Sequence, residues 1–328
     1  MCMRRLSRGS RLPLVLTAAV GLLLADCAAR AADKVELRDG DRVVWIGGTL
    51  IEREQIFGYW ETMLSASYPD RTVTFRNLGW SGDTVWAESR GMFDSPEQGY
   101  ARMLELVREQ QPTMIILAYG ANESFGGGER RLRRFLTQYG KLVDDLSPTG
   151  ARFACLLPLP MTASATADPP RVEAQNVRIA TFADAIRRFA GERNASVIDL
   201  STPAADEADL SPDDLTADGV QWNAVGYWAL AHRLRDQFQV SREGVALPRP
   251  AAPYPTRPVT SSSDPLEQLR EQIVAKNELF FHRWRPQNFT YLFGFRNYEQ
   301  GNNAVEIPKF DPLIEQREAE IVRLRQLD

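Results

Sequence analysis

Along residues 41–238 the hydrophobic positions follow two alternating rhythms. Short runs rich in Val, Ile, Leu and Phe fall at 42–46, 72–78, 113–118, 152–157 and 196–200. Such runs predict strands buried on both faces, the habit of parallel sheets. Between them, apolar residues recur at helical spacing. Leu132, Phe135, Tyr139, Leu142 and Leu146 share one face, while Arg130, Arg131, Arg133, Arg134 and Lys141 take the other. Residues 97–110 and 173–193 read the same way, and 224–238 closes the series. Strands alternating with helices predict an α/β fold of three layers, a parallel sheet covered on both faces by helices. An all-helical chain would not carry β-rich runs at this regular spacing.

The pattern changes at both ends. Pro248, Pro250, Pro253, Pro255 and Pro258 crowd together ahead of Ser261-Ser262-Ser263, predicting a linker over 241–264. Beyond it, 265–283 reads as a helix with Leu266, Leu269, Ile273 and Phe280 on one side. Residues 284–312 are aromatic and contain the turn signal Gly301-Asn302-Asn303, and 313–327 reads as a charged closing helix. The stretch 265–328 is therefore expected to be a C-terminal helical extension, able to dock a protein partner or to cover a site. At the other end, Arg4, Arg5, Arg8 and Arg11 precede an apolar run over 12–25 and the small-residue site Ala29-Arg30-Ala31. That order predicts a secretory signal peptide over 1–31 and export to the periplasm or beyond. The run falls short of the ~20 residues of a membrane span, so no span is expected after cleavage. Asp26 stands where a lipoprotein signal ending at Cys27 would need a small residue. The main domain is then expected over 32–240.

Composition narrows the chemistry. An apolar share of 44% in 328 residues excludes long disorder and allows one large domain with an appendage. Loss of 1–31 would remove Arg4, Arg5, Arg8, Arg11, Arg30 and Asp26, taking the net charge from −4 to −8, which gives no case for nucleic acid. Three cysteines exclude a disulfide scaffold, and Cys155 lies inside a strand-like run as a core thiol. With two histidines and no C-x-x-C pair, no metal site or cofactor is expected. The same scarcity leaves little choice of general base.

In a parallel sheet, sites form at the carboxyl ends of the strands. The loop after the first run reads Gly47-Gly48-Thr49-Leu50, the second Asn77-Leu78-Gly79-Trp80-Ser81-Gly82-Asp83-Thr84, and the third Tyr119-Gly120-Ala121-Asn122-Glu123-Ser124. Ahead of the helix at 224–238 stands Asp218-Gly219-Val220-Gln221-Trp222-Asn223. Taken in order, these loops resemble those of the SGNH/GDSL hydrolases over residues 41 to about 238. The resemblance implies a flavodoxin-like fold and hydrolysis of esters, including acetyl groups on carbohydrates. It also implies a small-molecule or carbohydrate ester as ligand. Gly82 matches the family's oxyanion glycine, Asn122 in Gly120-Ala121-Asn122 its oxyanion asparagine, and Asp218 its triad aspartate.

Two positions depart from the pattern, and both carry chemistry. The Gly-Asp-Ser motif reads Gly47-Gly48-Thr49, so Thr49 stands at the nucleophile, and Gln221 stands at the histidine. A hydroxyl needs an adjacent base to become a nucleophile at neutral pH, and an amide cannot accept its proton. His232, expected on a solvated face beside Arg233 and Arg235, and His282 are the candidate substitutes; Ser81 and Ser124 are alternative nucleophiles. Gly48, Trp80, Asp83, Glu123 and Trp222 are candidate ligand contacts. Glu52, Glu54, Asp83, Glu123 and Asp218 all fall in or near these loops, and either two of them form a general acid and base pair or Asp83 and Glu123 are braces that hold the loops through backbone amides. The sequence thus leaves two functions open: an ester hydrolase with impaired catalysis, or a non-catalytic binder of a carbohydrate, an acyl ligand or a partner.

Overall fold

The structure, a computed structural model, describes residues 34–162, 168–253 and 262–326. The signal-like segment 1–31 lies outside the described residues, as does the stretch 254–261 of the linker predicted over 241–264.

Five parallel strands form the sheet: β1 (Arg42–Gly47), β2 (Thr74–Asn77), β3 (Met114–Ala118), β4 (Arg152–Leu156) and β5 (Ser196–Ile198). Their order is β2-β1-β3-β4-β5, the flavodoxin-like arrangement. All five predicted runs are strands; the first is one residue longer than predicted, and the other four are trimmed by one to three residues. The helices are α1 (Thr49–Phe57), α2 (Tyr59–Ser67), α3 (Pro96–Glu109), α4 (Ala121–Ser124), α5 (Gly128–Leu146), α6 (Pro169–Glu192), α7 (Pro212–Leu215) and α8 (Ala224–Asp236). After them come α9 (Pro265–Trp284), α10 (Phe289–Leu292), α11 (Asn297–Gln300) and α12 (Phe310–Leu324).

Side chains on a strand alternate between faces, so each strand feeds two cores. On β1, Val43 and Trp45 join the core under α1, α2 and α8, while Val44 and Ile46 join the one under α3, α5 and α6. Cys155 is buried in the second core, and burial pushes its thiol up to about 11.

The C-terminal part is not an appendage. The described residues from 34 onward form one compact unit. Leu269, Ile273, Ile321 and Leu324 belong to the first core, and Phe280, Trp284 and Ile314 to the second. Helices α9 and α12 pack together, and α9 also lies on α1 and α2. The described half of the linker is held as well: Val245 and Leu247 are buried, and Trp228 Nε1 donates to the Leu247 carbonyl at 2.8 Å. The expected turn at Gly301-Asn302-Asn303 is instead the start of a 3-10 helix over Gly301–Lys309. No described helix is long and apolar enough to cross a membrane.

Candidate active site

The strand order reverses between β1 and β3, which opens a crevice at their carboxyl ends. Gly47 pairs with Ala118 there, and an added Cβ at Gly47 would lie 2.6 Å from the Ala118 carbonyl oxygen, so the two strands close tightly only around glycine. Thr49 follows as the first residue of α1, where the helix dipole favours negative charge on its oxygen.

The second loop is pressed onto α1. Asn77 Nδ2 donates to the Ile51 carbonyl at 2.6 Å and its Oδ1 accepts from Gly79 N–H at 2.9 Å. Ser81 N–H donates to Glu52 Oε2 at 2.6 Å. Gly82, at φ +74, then directs its N–H to Thr49 Oγ1 at 3.1 Å. From the third loop, Asn122 Nδ2 donates to the Asp83 carbonyl at 2.7 Å, using one of its two N–H groups. A Cβ added at Gly48 would lie 3.2 Å from that Nδ2, so the small residue where the family motif carries Asp leaves room for Asn122.

The last loop holds the other half of the site. Asp218 Oδ1 accepts from the N–H groups of Val220 at 3.0 Å and Gln221 at 2.7 Å, and Oδ2 accepts from Gln221 Nε2 at 3.0 Å. Burial raises the Asp218 carboxyl, but these hydrogen bonds and nearby Arg53 outweigh it and hold it below the usual carboxylate range. A carboxylate only accepts, so Gln221 must point its NH₂ at Asp218 and keep its oxygen as a further acceptor. Gln221 thus copies the hydrogen-bond polarity of a neutral imidazole without its proton affinity.

Thr49, Asn122, Gln221 and Trp222 line one cavity of about 440 Å³. Its far wall is apolar, with Leu156, Leu159, Met161 and Ile179. The sequence reading passed over the loop after β4, Leu157-Pro158-Leu159-Pro160-Met161, although the carboxyl-end rule points to it as much as to the others. It also passed over Arg53, one turn beyond Thr49.

Other candidates resolve differently. Glu123 is fully buried, and its two oxygens accept from Val85 and Gly120 N–H, each at 2.7 Å; burial raises its carboxyl. It is a brace. Asp83 is also buried and raised by burial, with Oδ2 accepting from Arg90 Nε at 2.6 Å and from the Tyr119 hydroxyl at 3.4 Å. Both residues border the cavity; both Glu123 oxygens are engaged by backbone amides, while Asp83 is paired with Arg90 through Oδ2 and keeps its Oδ1 buried without a hydrogen-bond partner. Trp80 is a correction: it lines a second cavity, with Arg285 stacked at 3.5 Å from its ring centre. His232 is not on a solvated face. It is 1% exposed, its Nδ1 lies 2.9 Å from the Trp228 carbonyl oxygen, and burial pulls it below its ordinary value. His282 packs between Phe281 and Phe310. Neither histidine lines the Thr49 cavity. Ser124 is buried, its hydroxyl donating to the Ala121 carbonyl and accepting from Gln175. Ser81 borders the cavity. No group of three or more His, Cys, Asp or Glu suited to a metal ion occurs among the described residues.

No curated protein matches the chain in sequence. Solved structures with a similar fold include an acetylxylan esterase from Geobacillus stearothermophilus, 18% identical, with a TM-score of 0.47 over 62% of this chain and 96% of that one. LAE5, an alpha/beta hydrolase enzyme from the metagenome of Lake Arreo, is 19% identical with a TM-score of 0.47 over 61% of this chain and 96% of that one. A gut microbial diltiazem-metabolizing enzyme, BT4096, is 16% identical with a TM-score of 0.46 over 63% of this chain and 48% of that one. Residues 44–229, more than half of the chain, match the GDSL-like lipase/acylhydrolase family, and the chain belongs to it.

Proposed function

We propose that this protein is an exported member of the family that binds a small acyl ester, such as an acylated carbohydrate, with hydrolysis impaired or lost. One observation carries the reading: Gly82 N–H is directed at Thr49 Oγ1 and Asn122 lines the same cavity, while a glutamine, Gln221, is the side chain hydrogen-bonded to Asp218. Among the described residues bordering the cavity, Glu123 is held by backbone amides on both oxygens, and Asp83 is ion-paired with Arg90 through Oδ2 with its Oδ1 buried. Thr49 adds a methyl group beside its hydroxyl, crowding the line of attack. What is left is binding and polarisation, which by themselves supply about 10³–10⁴-fold over water in a serine hydrolase stripped of its triad.

The cavity supports an ester ligand. Its volume of about 440 Å³ is in the range of small-molecule sites, with apolar walls for an acyl chain and donors gathered at one end for a carbonyl oxygen. Export is supported by the order of charges and apolar residues over 1–31.

Calorimetric titration with ethyl hexanoate is expected to show saturable binding at one site per chain. Leu159→Asp, which places a charge on the apolar wall, should weaken it at least about tenfold. Absence of saturation, or binding indifferent to that charge, would contradict the proposal.

A further inference from the structure

A second cavity, of about 640 Å³, lies between the turn at Glu88–Gly91, helix α3 and the end of α9. It is outside the region matched by the family on one side, because Phe281, Trp284, Arg285 and Phe289 belong to the C-terminal part. Trp80 is its hub: Arg285 lies 3.5 Å, Arg90 5.7 Å and Trp284 5.9 Å from the Trp80 ring. The wall is therefore aromatic and carries guanidinium groups. Their carboxylate partners sit mostly behind it: Asp83 holds Arg90 and Asp94 holds Arg102, and neither acid borders the cavity, whereas Glu52 does. Two lining residues also keep buried donors without an acceptor, Arg90 Nη1 and Trp284 Nε1. Arg90 and Trp284 are 3% and 6% exposed, so water does not readily satisfy them.

The backbone that presents Arg90 is tightly constrained. Ala87 and Met92, on either side of the turn, both adopt positive φ, at 58° and 53°. A Cβ added at Gly99 on α3 would lie 2.5 Å from Gly91 N, so the helix presses directly on the turn. Conformations of this kind persist where the surroundings over-determine them, and they cluster at ligand sites.

We propose that this second cavity is a binding site for a small aromatic carboxylate. The ring would lie against Phe281 and Phe289, beside the Trp80–Arg285 stack, and the carboxylate would face the guanidinium groups of the wall, with Arg90 Nη1 and Trp284 Nε1 as the enclosed donors that gain an acceptor when the wall adjusts to it. A monoanion suits the site better than a dianion, because each arginine already has a counter-charge. Burial lowers the Arg285 guanidinium from its ordinary value, with Glu52 working against that effect and Arg90 adding to it. Through Arg285, which donates to Glu52 Oε2 at 2.8 Å, the site touches the carboxylate that also receives Ser81 N–H.

The test is a calorimetric titration of the chain with sodium benzoate, with benzyl alcohol and sodium acetate as arms that separate ring from charge. Benzoate is expected to saturate at one site, and the alcohol and acetate to bind at least about tenfold more weakly. Leu106→Trp, which fills the cavity from α3, should abolish binding. Trp284→Phe, which keeps the aromatic face and removes the N–H, should weaken it several-fold. Val220→Trp, which fills the Thr49 cavity instead, should leave it intact, with circular dichroism confirming the fold of each variant. Benzoate that fails to saturate, binds no better than benzyl alcohol, or is displaced by Val220→Trp and not by Leu106→Trp would overturn the proposal.

Discussion

Thr49→Ser combined with Gln221→His is expected to raise turnover of p-nitrophenyl acetate at least about 10³-fold over the natural chain. Gly82 N–H already points at the Thr49 oxygen, at 3.1 Å. Asp218 already receives a side-chain N–H from position 221 at 3.0 Å, the role an imidazole Nδ1–H would take. Only the proton acceptor and an uncrowded hydroxyl are missing. Each single substitution should fall far short of the pair, because a nucleophile and its base act as a unit. The sign of the pH dependence follows. Catalysis needs the neutral imidazole, whose ordinary pKa is about 6.5 and is raised by a neighbouring carboxylate. The rate should therefore climb as pH rises through and somewhat above that value. A double variant no faster than the natural chain would show that the surrounding geometry, and not the two substitutions, is at fault.

The second large effect concerns stability. Lys276 on α9 is fully buried, and its ammonium donates to Glu61 Oε1 at 2.6 Å, Glu61 Oε2 at 2.8 Å and the Phe75 carbonyl at 3.1 Å. This pair pins the C-terminal helix to α2 and the edge strand β2. Lys276→Met should cost about 3–5 kcal/mol, because it leaves a buried carboxylate without its counter-charge. Burial already raises the Glu61 carboxyl despite Lys276 working against it. Without the lysine the folded-state value rises further. A raised acid stabilises the fold fully below the unfolded-state value, about 4.3, and loses that contribution as pH climbs towards the folded-state one. The deficit of Lys276→Met should thus shrink in acid. Glu61→Leu combined with Lys276→Met should recover most of the loss. Urea unfolding at two pH values checks all three statements, and a loss under about 1 kcal/mol, the range of an exposed pair, would remove the pair from the account.

The strands and the loops at their carboxyl ends were legible because their physics is local. A run such as Met114–Ala118 is apolar throughout, and a parallel strand needs little else. The loop glycines were legible for the same reason: Gly82 and Gly120 both take positive φ where the chain must turn back toward Thr49. The C-terminal part was misjudged because its docking residues look like surface residues. Lys276, Arg270 and Arg285 are cations that a sequence offers no reason to bury, yet each meets a distant partner: Glu61, the Phe57 carbonyl and Glu52. His232 was misplaced in the same way, since the polar residues beside it suggested solvent. Arg233 is itself buried, paired with Glu207. Trp80 was assigned to the wrong cavity because the segment that claims it, around Arg285, lies 205 positions further along the chain. Periodicity cannot report such contacts.

The central claim is that Thr49 is no longer a working nucleophile, although the site around it is intact. Rapid-mixing measurement of p-nitrophenol release from p-nitrophenyl acetate by the natural chain and by Thr49→Ala tests it most directly. The account predicts no burst from either protein and the same slow release from both, set by binding and the oxyanion donors alone. A burst, or steady turnover by the natural chain that disappears in Thr49→Ala, would contradict it.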